Sequence, residues 1–334
     1  MSSTSDSKPI LVTGATGFTG GALAQELVRR GEIVRALVRP GSHTEPLTES
    51  GIELVEGDIR NGEDVHRAAE GVRTIYHIAA VFRTAGHPDS YYRAVNAGGV
   101  RNVVQAARAH RVDRTVHCST VGVHGHVDQI PATEDSPFNP GDIYQETKLE
   151  GERIAQEAFA ADVPGVVFRP AGIYGPGDMR FLKLFRAIQK RRFLMFGSGE
   201  TLYHLTYIDD LVDGIILCGE HPDALGQTYI LGGEDYLSLN ELVEHVAEAL
   251  EVSPPRLRFP FWPLMLAAVA CETLCKPLGI DPPLHKRRAE FFVKDRAFSS
   301  EKAKRELGYT PVVSVGEGMR RTAEWYRSEG HLAG

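Results

Sequence analysis

The chain has 334 residues, of which 42% are hydrophobic and 24% charged, a balance typical of a globular protein with a sizeable core. This composition excludes disordered and fibrous proteins. The formal net charge is −7 and the basic residues form only short clusters, such as the KRR at 286–288. The sequence therefore predicts no continuous basic surface and no nucleic-acid partner.

Two features predict where the protein resides. The first residues, MSSTSDSKP, are polar and lack the apolar core of a signal peptide, so residues 1–8 are predicted to be a disordered tail. The cysteines are too few and too scattered for a disulfide framework; they are Cys118, Cys218, Cys271 and Cys275. Together these features predict a cytoplasmic protein.

From residue 9 onward, apolar runs alternate with turns and with stretches of helical periodicity. The predicted strands are 9–14, 33–38, 52–57, 73–78, 114–119 and 165–170, and the predicted helices are roughly 17–30, 61–70, 90–110 and 142–161. Such alternation is typical of βαβ units. It predicts an α/β fold with a doubly wound parallel sheet, a Rossmann fold, in which ligands bind beyond the carboxyl ends of the strands.

This regular pattern loosens after residue 172. We therefore predict a dinucleotide-binding Rossmann domain over 9–172 and, over 173–334, a smaller mixed α/β substrate-binding lobe with segments that return to the first domain. Within the lobe, Phe261–Cys275 is strongly apolar but shorter than a bilayer span of about 20 residues. We interpret it as a buried helix, with a lid over an apolar substrate or a contact with a membrane surface as alternatives.

A glycine-rich turn, TGATGFTGG at 13–21, follows the first strand and opens the first helix. Gly14, Gly17 and Gly20 lie three residues apart, which permits a tight turn, a close approach of backbone N–H groups to a pyrophosphate, and tight packing of the helix on the sheet. The position between the first strand and the first helix favours a dinucleotide site over an ordinary turn.

The stretch DIYQETK, 142–148, places Tyr144 and Lys148 four residues apart and therefore on one face of a helix. A nearby cation lowers the pKa of a phenol, which would prepare Tyr144 for proton transfer. Alone, this spacing more often belongs to a surface helix with an ordinary Tyr and Lys.

These motifs occur together in one order that resembles a known family, the extended (atypical) short-chain dehydrogenases/reductases of the NAD-dependent epimerase/dehydratase superfamily. The shared motifs are TGATGFTG at the first turn, GDI at 57–59, HIAA at 77–80, Asn96, CST at 118–120, Y-x-x-x-K at 144–148 and RPAGIYGPGD at 169–178. The last motif, the apolar Phe261–Cys275 and VRALVRP at 34–40 look most like the branch of 3β-hydroxysteroid dehydrogenases and dihydroflavonol reductases.

The resemblance implies a catalytic group. Tyr144 would be the acid/base, Lys148 would lower its pKa and hold the nicotinamide ribose, and Thr120 would orient the substrate oxygen. Asn96 would order a helix bend or a water molecule near the site. The implied cofactor-binding residues are Gly14, Thr16, Gly17, Phe18, Arg39, Asp58, Ile59, Ala79, Ser119 and Lys148, of which Ser119 is also the reserve for Thr120.

The end of the second strand predicts which nicotinamide cofactor binds. Val38 stands where an acidic residue would hydrogen-bond the ribose of NAD, and Arg39 follows it. A guanidinium can pair with the 2′-phosphate of NADP. NADP is therefore predicted, with NAD as the alternative. A metal is not predicted, because no cysteine or carboxylate set completes the group of His117, His124 and His126.

Two departures from the nucleotide-sugar enzymes of the family predict the substrate. Gly172 stands where those enzymes carry an Asn, and Tyr203 stands where they carry an Arg that holds the sugar nucleotide. We therefore predict an NAD(P)-dependent oxidoreductase that interconverts a secondary alcohol and a ketone on a hydrophobic small molecule. The alternatives are a nucleotide-sugar 4-epimerase and a non-catalytic NADP(H)-binding sensor or scaffold. By family likeness, a homodimer is expected through the helices near 90–110 and 142–161.

Overall fold

A computed structural model describes residues 8–82, 87–127, 129–275, 284 and 289–333. The strands, numbered β1 to β12, are Ile10–Thr13, Val34–Val38, Glu53–Glu56, Thr74–His77, Arg114–Cys118, Gly165–Pro170, Gly172–Tyr174, Met195–Phe196, Leu202–Tyr207, Thr228–Leu231, Tyr236–Ser238 and Arg258–Phe259. Seven of them form one parallel sheet in the order β10-β6-β5-β4-β1-β2-β3. The predicted Rossmann fold is confirmed.

Helices cover both faces of this sheet. The α-helices, numbered α1 to α12, are Phe18–Arg29, Glu45–Glu49, Gly62–Ala69, Asp89–Arg93, Gly99–His110, Ile143–Ala161, Leu182–Gln189, Ile208–Glu220, Leu239–Ala249, Phe261–Cys275, Glu301–Leu307 and Val315–Ser328. Alternate residues of a strand point to opposite faces, so Ile10 and Val12 of β1 join one hydrophobic core while Leu11 joins the other. The first core includes α1 and α8, and the second includes α3, α5 and α6.

The smaller lobe is a mixed α/β structure. In its three-stranded sheet, β9 lies between β7, which is parallel to it, and β11, which is antiparallel; β8 and β12 form a separate parallel pair. The seventh strand of the main sheet, β10, comes from this second half of the chain and pairs with β6. The chain therefore returns to the first sheet after building the lobe.

The prediction of a buried helix at Phe261–Cys275 is wrong. The helix forms as α10, but of its 15 residues only Ala268 is buried, and Trp262, Leu266 and Leu274 are 65%, 59% and 69% exposed. Hydropathy reports how apolar a segment is and cannot report whether the fold has a surface that covers it. Among the described residues, no helix has both the length and the apolar character that a bilayer crossing requires.

Candidate active site

The glycine-rich turn packs against the end of β4 so closely that side chains are excluded. Gly14 has a φ of +78°, and a Cβ added to it would lie 2.7 Å from the backbone nitrogen of Ala79. A Cβ on Gly20 would lie 2.2 Å from the carbonyl oxygen of Gly14. Helix α1 begins directly after this turn, at Phe18, with no acidic residue in its first turn. A turn without bulky side chains followed by a helix N-terminus fits the pyrophosphate of a dinucleotide.

The hydroxyl group of Thr13 connects the glycine-rich turn to the end of β4. Thr13 Oγ1, fully buried at the end of β1, is 2.8 Å from Nδ1 of His77 and accepts a hydrogen bond of 3.3 Å from the backbone N–H of Ala79. Ala79 is thereby fixed beside Gly14, at the point where the strand order of the sheet reverses. Dinucleotides bind at such switch points. A cleft of about 840 Å³ beside the turn is lined by residues that include Thr16, Gly17 and Phe18.

Two arginines lie beyond the ends of β2 and β3. Arg39 is exposed directly after β2. The carboxylate of Asp58 accepts hydrogen bonds from Nε and Nη2 of Arg60, at 3.0 and 2.6 Å, and the Arg60 guanidinium together with Arg39 lowers the pKa of Asp58. Ile59 is buried against α5. Sequence reasoning missed Arg60, which forms an ion pair with the carboxylate of Asp58. The contact between Asp58 and the adenine of the cofactor stays a prediction.

Tyr144 and Lys148 lie one turn apart at the start of α6. The side chain of Asp142 caps this helix by accepting a hydrogen bond of 2.9 Å from the backbone N–H of Gln145. Lys148 is only 2% exposed, and its Nζ donates a 2.5 Å hydrogen bond to the carbonyl oxygen of Cys118 at the end of β5. Burial lowers the pKa of Lys148. Lys148 thus connects α6 to the end of β5, two residues before Thr120.

The two hydroxyl groups after β5 have different surroundings. Ser119 is 2% exposed and donates to the carboxylate of Glu152, behind the site. Thr120 is half-buried, and its Oγ1 accepts a 3.0 Å hydrogen bond from the backbone N–H of Gly122, which leaves its own O–H as a donor. Thr120 therefore remains the better placed of the two hydroxyls for a substrate oxygen, and the cofactor contact of Ser119 stays a prediction.

A buried ion pair that sequence reasoning missed lies behind these hydroxyls. Glu152 is fully buried and Arg169 is 2% exposed; Arg169 Nη2 donates to Glu152 Oε1 at 2.6 Å. Arg169 Nη1 also lies 3.0 Å from Nε2 of His124 and donates to the carbonyl oxygen of Glu134 at 2.8 Å. Glu152 stands four residues after Lys148, so its carboxylate was visible on the same helix face, but nothing local pointed to Arg169 as its partner.

Asn96 lies in an irregular turn of its helix. A π-helical turn over Ala94–Gly98 separates α4 from α5, and Asn96 is buried within it. Asn96 Oδ1 accepts a 2.8 Å hydrogen bond from the backbone N–H of Val81, and its Nδ2 donates to Thr147 Oγ1 at 3.0 Å. One side chain thus connects the loop after β4 to α6, next to Lys148.

Aromatic rings and a cation line the side of the site that faces the smaller lobe. The ring of Phe82 meets the ring of Tyr144 edge-on at 5.0 Å between centroids. The guanidinium of Arg180 lies 5.8 Å from the ring of Phe82 and 5.7 Å from that of Phe18, while its Nε donates to Asp178 at 2.6 Å. Phe82 and Arg180 were not predicted, because neither belongs to a motif that carries chemistry.

In the part of the chain that the structure describes, no three His, Cys, Asp or Glu side chains are arranged so that they could hold a metal ion. His124 contacts Arg169 and the carbonyl oxygen of Pro137, and His126 is exposed. The predicted site residues instead lie along one edge of the sheet, at the ends of β1 to β5 and the start of α6.

Comparisons with known proteins identify the family. The model of the NAD-dependent epimerase/dehydratase family matches residues 10–232. A 2-alkyl-3-oxoalkanoate reductase of Stenotrophomonas maltophilia is 33% identical over 330 residues, which cover 93% of this chain and 97% of the relative. A 3β-hydroxysteroid dehydrogenase/Δ5→4-isomerase of Mycobacterium tuberculosis is 30% identical over 96% of this chain and 90% of its own.

A solved structure shows the same fold. The crystal structure of gox2253 has a TM-score of 0.84 with this chain at 29% identity, and the match covers 98% of this chain and 100% of the other. The resemblance drawn from the sequence motifs is confirmed, including the branch that contains steroid dehydrogenases. The chain belongs to the NAD-dependent epimerase/dehydratase family.

Proposed function

We propose that the protein is an NADP-preferring oxidoreductase that interconverts a secondary alcohol and a ketone on a bulky hydrophobic molecule. The observation that carries the proposal is the position of Tyr144 and Lys148 on α6, with Lys148 bonded to the end of β5 and Thr120 two residues beyond that bond. The names of the two relatives describe the same class of reaction on apolar skeletons.

The bound nicotinamide would supply or accept the hydride at the carbon of the substrate. Tyr144 would give its phenolic proton to the ketone oxygen during reduction and take it back during oxidation. The positive charge of Lys148 favours the phenolate that remains, and the O–H of Thr120 would donate to the substrate oxygen and fix its direction.

The same edge would hold the cofactor. Gly14, Thr16, Gly17 and Phe18 would receive the pyrophosphate at the start of α1. Arg39 would pair with the 2′-phosphate, which is the reason for proposing NADP over NAD. The adenine would lie against Asp58 and Ile59, and the nicotinamide half against Ala79, Ser119 and Lys148.

The substrate lobe supports a hydrophobic molecule over a sugar nucleotide. At Gly172, an added Cβ would lie 2.7 Å from a methyl carbon of Leu205, so the amide side chain that the nucleotide-sugar enzymes carry there would require Leu205 to move. Tyr203 is buried, and its hydroxyl contacts the carbonyl oxygen of Phe291.

One observation favours the 4-epimerase as a second candidate. The guanidinium of Arg296 lies over the ring of Tyr203 at 5.3 Å and donates to its hydroxyl at 3.1 Å. A cation therefore stands close to the position of the missing Arg, although it also donates to the carbonyl oxygen of Lys294.

A substrate panel tests the proposal. Ketosteroids, aryl ketones, aldehydes and UDP-sugars are each incubated with the purified protein and NADPH or NADH, and cofactor absorbance and products are followed. We expect NADPH to be oxidised with a ketone of the first two classes. Conversion of a UDP-sugar without net redox change would establish the epimerase instead, and NADPH binding with no turnover on any substrate would establish the sensor.

We further propose that the protein is a cytoplasmic homodimer joined through α5 and α6. The two helices lie side by side over one face of the sheet. Mass measurement in solution tests the proposal, and a monomeric mass at all concentrations would refute it.

A further inference from the structure

Helix α10 is the largest departure from the rule that apolar residues are buried. Its sequence, FWPLMLAAVACETLC, has Glu272 as its single charged residue. The exposed side chains follow a stripe at i, i+4, i+8 and i+12, from Trp262 through Leu266 and Ala270 to Leu274. The other sides of the helix are apolar as well, so α10 has no face that water would solvate well.

The apolar surface extends beyond the helix. In the segment that leads into α10, Leu257 is 65% and Phe259 is 43% exposed. We call these two side chains, together with Trp262, Leu266 and Leu274, the α10 surface. Scattered apolar residues on a surface are ordinary, whereas five large ones gathered on one helix and the segment before it indicate an interaction site.

Two basic side chains stand beside the α10 surface, although the whole chain carries −7. Arg256 and Arg258 precede the helix and are exposed. A positive border beside an apolar surface is complementary to the anionic headgroups and acyl chains of a lipid bilayer.

We propose that α10 binds the surface of an anionic membrane and lies in its plane. A protein partner would cover one stripe of the helix and leave its other apolar sides in water, whereas acyl chains surround a helix on every side that the protein does not cover. The tryptophan near the start of the helix and the neighbouring arginines are the residue types that mark the boundary between headgroups and acyl chains. Fifteen residues span about 22 Å, so the contact lies along the bilayer without crossing it.

Vesicle binding by the full-length protein tests this proposal independently of any enzymatic activity. The protein is sedimented with vesicles of phosphatidylcholine alone and with vesicles that also contain phosphatidylglycerol. We expect binding to the anionic vesicles that weakens as salt is added, because the basic border contributes through its charge. Absence of binding to both kinds of vesicle would overturn the proposal.

The position of the contact is tested with substitutions at exposed sites. Leu266→Glu combined with Leu274→Glu should lower the vesicle-bound fraction by more than about tenfold, because each carboxylate would have to enter the acyl region. The matched control combines Ile33→Glu with Leu225→Glu, which changes two aliphatic side chains that lie away from α10 and are 52% and 44% exposed. This control should bind vesicles like the unmodified protein. Equal loss in both variants would overturn the assignment of α10.

A fluorescence measurement separates lipid from a second copy of the chain. The sequence has two tryptophans, so Trp325→Phe leaves Trp262 as the reporter. We expect a blue shift of its emission and quenching by brominated lipids when anionic vesicles are added. A blue shift that grows with protein concentration in the absence of lipid would point to a second copy of the chain. If the variant with both Leu266→Glu and Leu274→Glu then lost the blue shift and also had the mass of a monomer, a second copy would be the occupant and the membrane contact would be refuted.

Discussion

Two regions of the molecule reverse the usual distribution of polarity, in opposite directions. Behind the end of β5, the ionised groups of Glu152 and Arg169 are enclosed in protein. On α10, Trp262 and Leu266 are exposed. Burying a charge is costly unless a partner is supplied, and exposing apolar surface is costly unless something covers it. The first region finds its partners within the chain, and the second requires them from outside.

The largest effect is expected at Tyr144, on the helix that also carries Glu152. Tyr144→Phe removes the proposed proton donor and leaves the ring and its contact with Phe82, so we expect turnover to fall about 10²- to 10⁴-fold while NADPH affinity stays nearly constant. Steady-state kinetics and cofactor titration measure the two quantities. Tyr236→Phe, on β11, is the control and should change neither. Retained activity of Tyr144→Phe would refute its role as acid/base.

Breaking the buried ion pair should cost stability. Glu152→Ala leaves Arg169 as an unpaired buried charge, and we expect a loss of about 3–5 kcal/mol in the free energy of unfolding, measured by urea denaturation. Glu150→Ala on the same helix removes a carboxylate that pairs with Arg93 in an exposed position, so it should cost less than about 1 kcal/mol. Similar losses of unfolding free energy in the two variants would contradict the view that an ion pair matters more to stability when it is buried.

Arg39 is a cation whose role should appear only with a ligand. Arg39→Ser should weaken NADPH binding by about 1.5–3 kcal/mol, the range of a charge-assisted hydrogen bond, and leave NADH binding unchanged because NADH lacks the 2′-phosphate. Calorimetric titration with both cofactors measures the difference. An equal loss for both would show that Arg39 does not discriminate between them.

The buried region also contains imidazoles that should make stability depend on pH. His77 and His117 stack at 5.4 Å, and burial lowers the pKa of both, that of His77 to about 3. An unfolded histidine has a pKa of about 6.5, so below that pH the unfolded state binds more protons than the folded state. Stability should therefore be complete above about pH 6.5 and fall as the pH decreases, by up to about 1.4 kcal/mol per pH unit for each group.

A substitution isolates the contribution of His117. Among the described residues, neither ring nitrogen of His117 has a hydrogen-bond partner, so His117→Leu should reduce the acid-induced loss without a large cost at neutral pH. His43→Leu, at an exposed position, is the control. Urea denaturation at several pH values should show a shallower slope for His117→Leu alone, and an unchanged slope would contradict the role of burial.

The smallest effect is expected on α10. In solution, Leu266→Ser and Leu274→Ser should each change the free energy of unfolding by no more than about 0.5 kcal/mol, because neither side chain is packed. Losses of about 2 kcal/mol or more, typical of buried leucines, would show that α10 belongs to a core and would remove the contrast between the two regions.

The sheet and the cofactor edge were predictable because local patterns determine them. Apolar runs of strand length, each followed by helical periodicity, led to the first six strands, and Gly14 and Gly20 marked the turn where only glycine fits. The strand Thr228–Leu231 was not predicted individually, since four residues give little periodicity and their neighbour, β6, is about sixty residues away along the chain.

The surroundings of the site were less predictable because they depend on contacts between distant residues. Tyr144 and Lys148 lie on one helix, so their spacing was enough to place them together. By contrast, Glu152 and Arg169 belong to a helix and a strand, and Phe82 reaches Tyr144 from the loop after β4. For α10 the sequence reported apolar character correctly, but exposure depends on what the rest of the fold leaves uncovered.

The pairing of β10 with β6 affects how this chain can be cut and recombined. A fragment that ends near residue 172 would contain all six strands of the predicted first domain, yet β6 would become an edge with unpaired backbone groups, a common origin of aggregation. A chimaera that exchanges substrate lobes within the family would therefore have to retain Thr228–Leu231 with the first half. The part that can be exchanged consists of the residues between β6 and β10 and the segments after β10. It is not the whole second half of the chain, because β10 belongs to the main sheet.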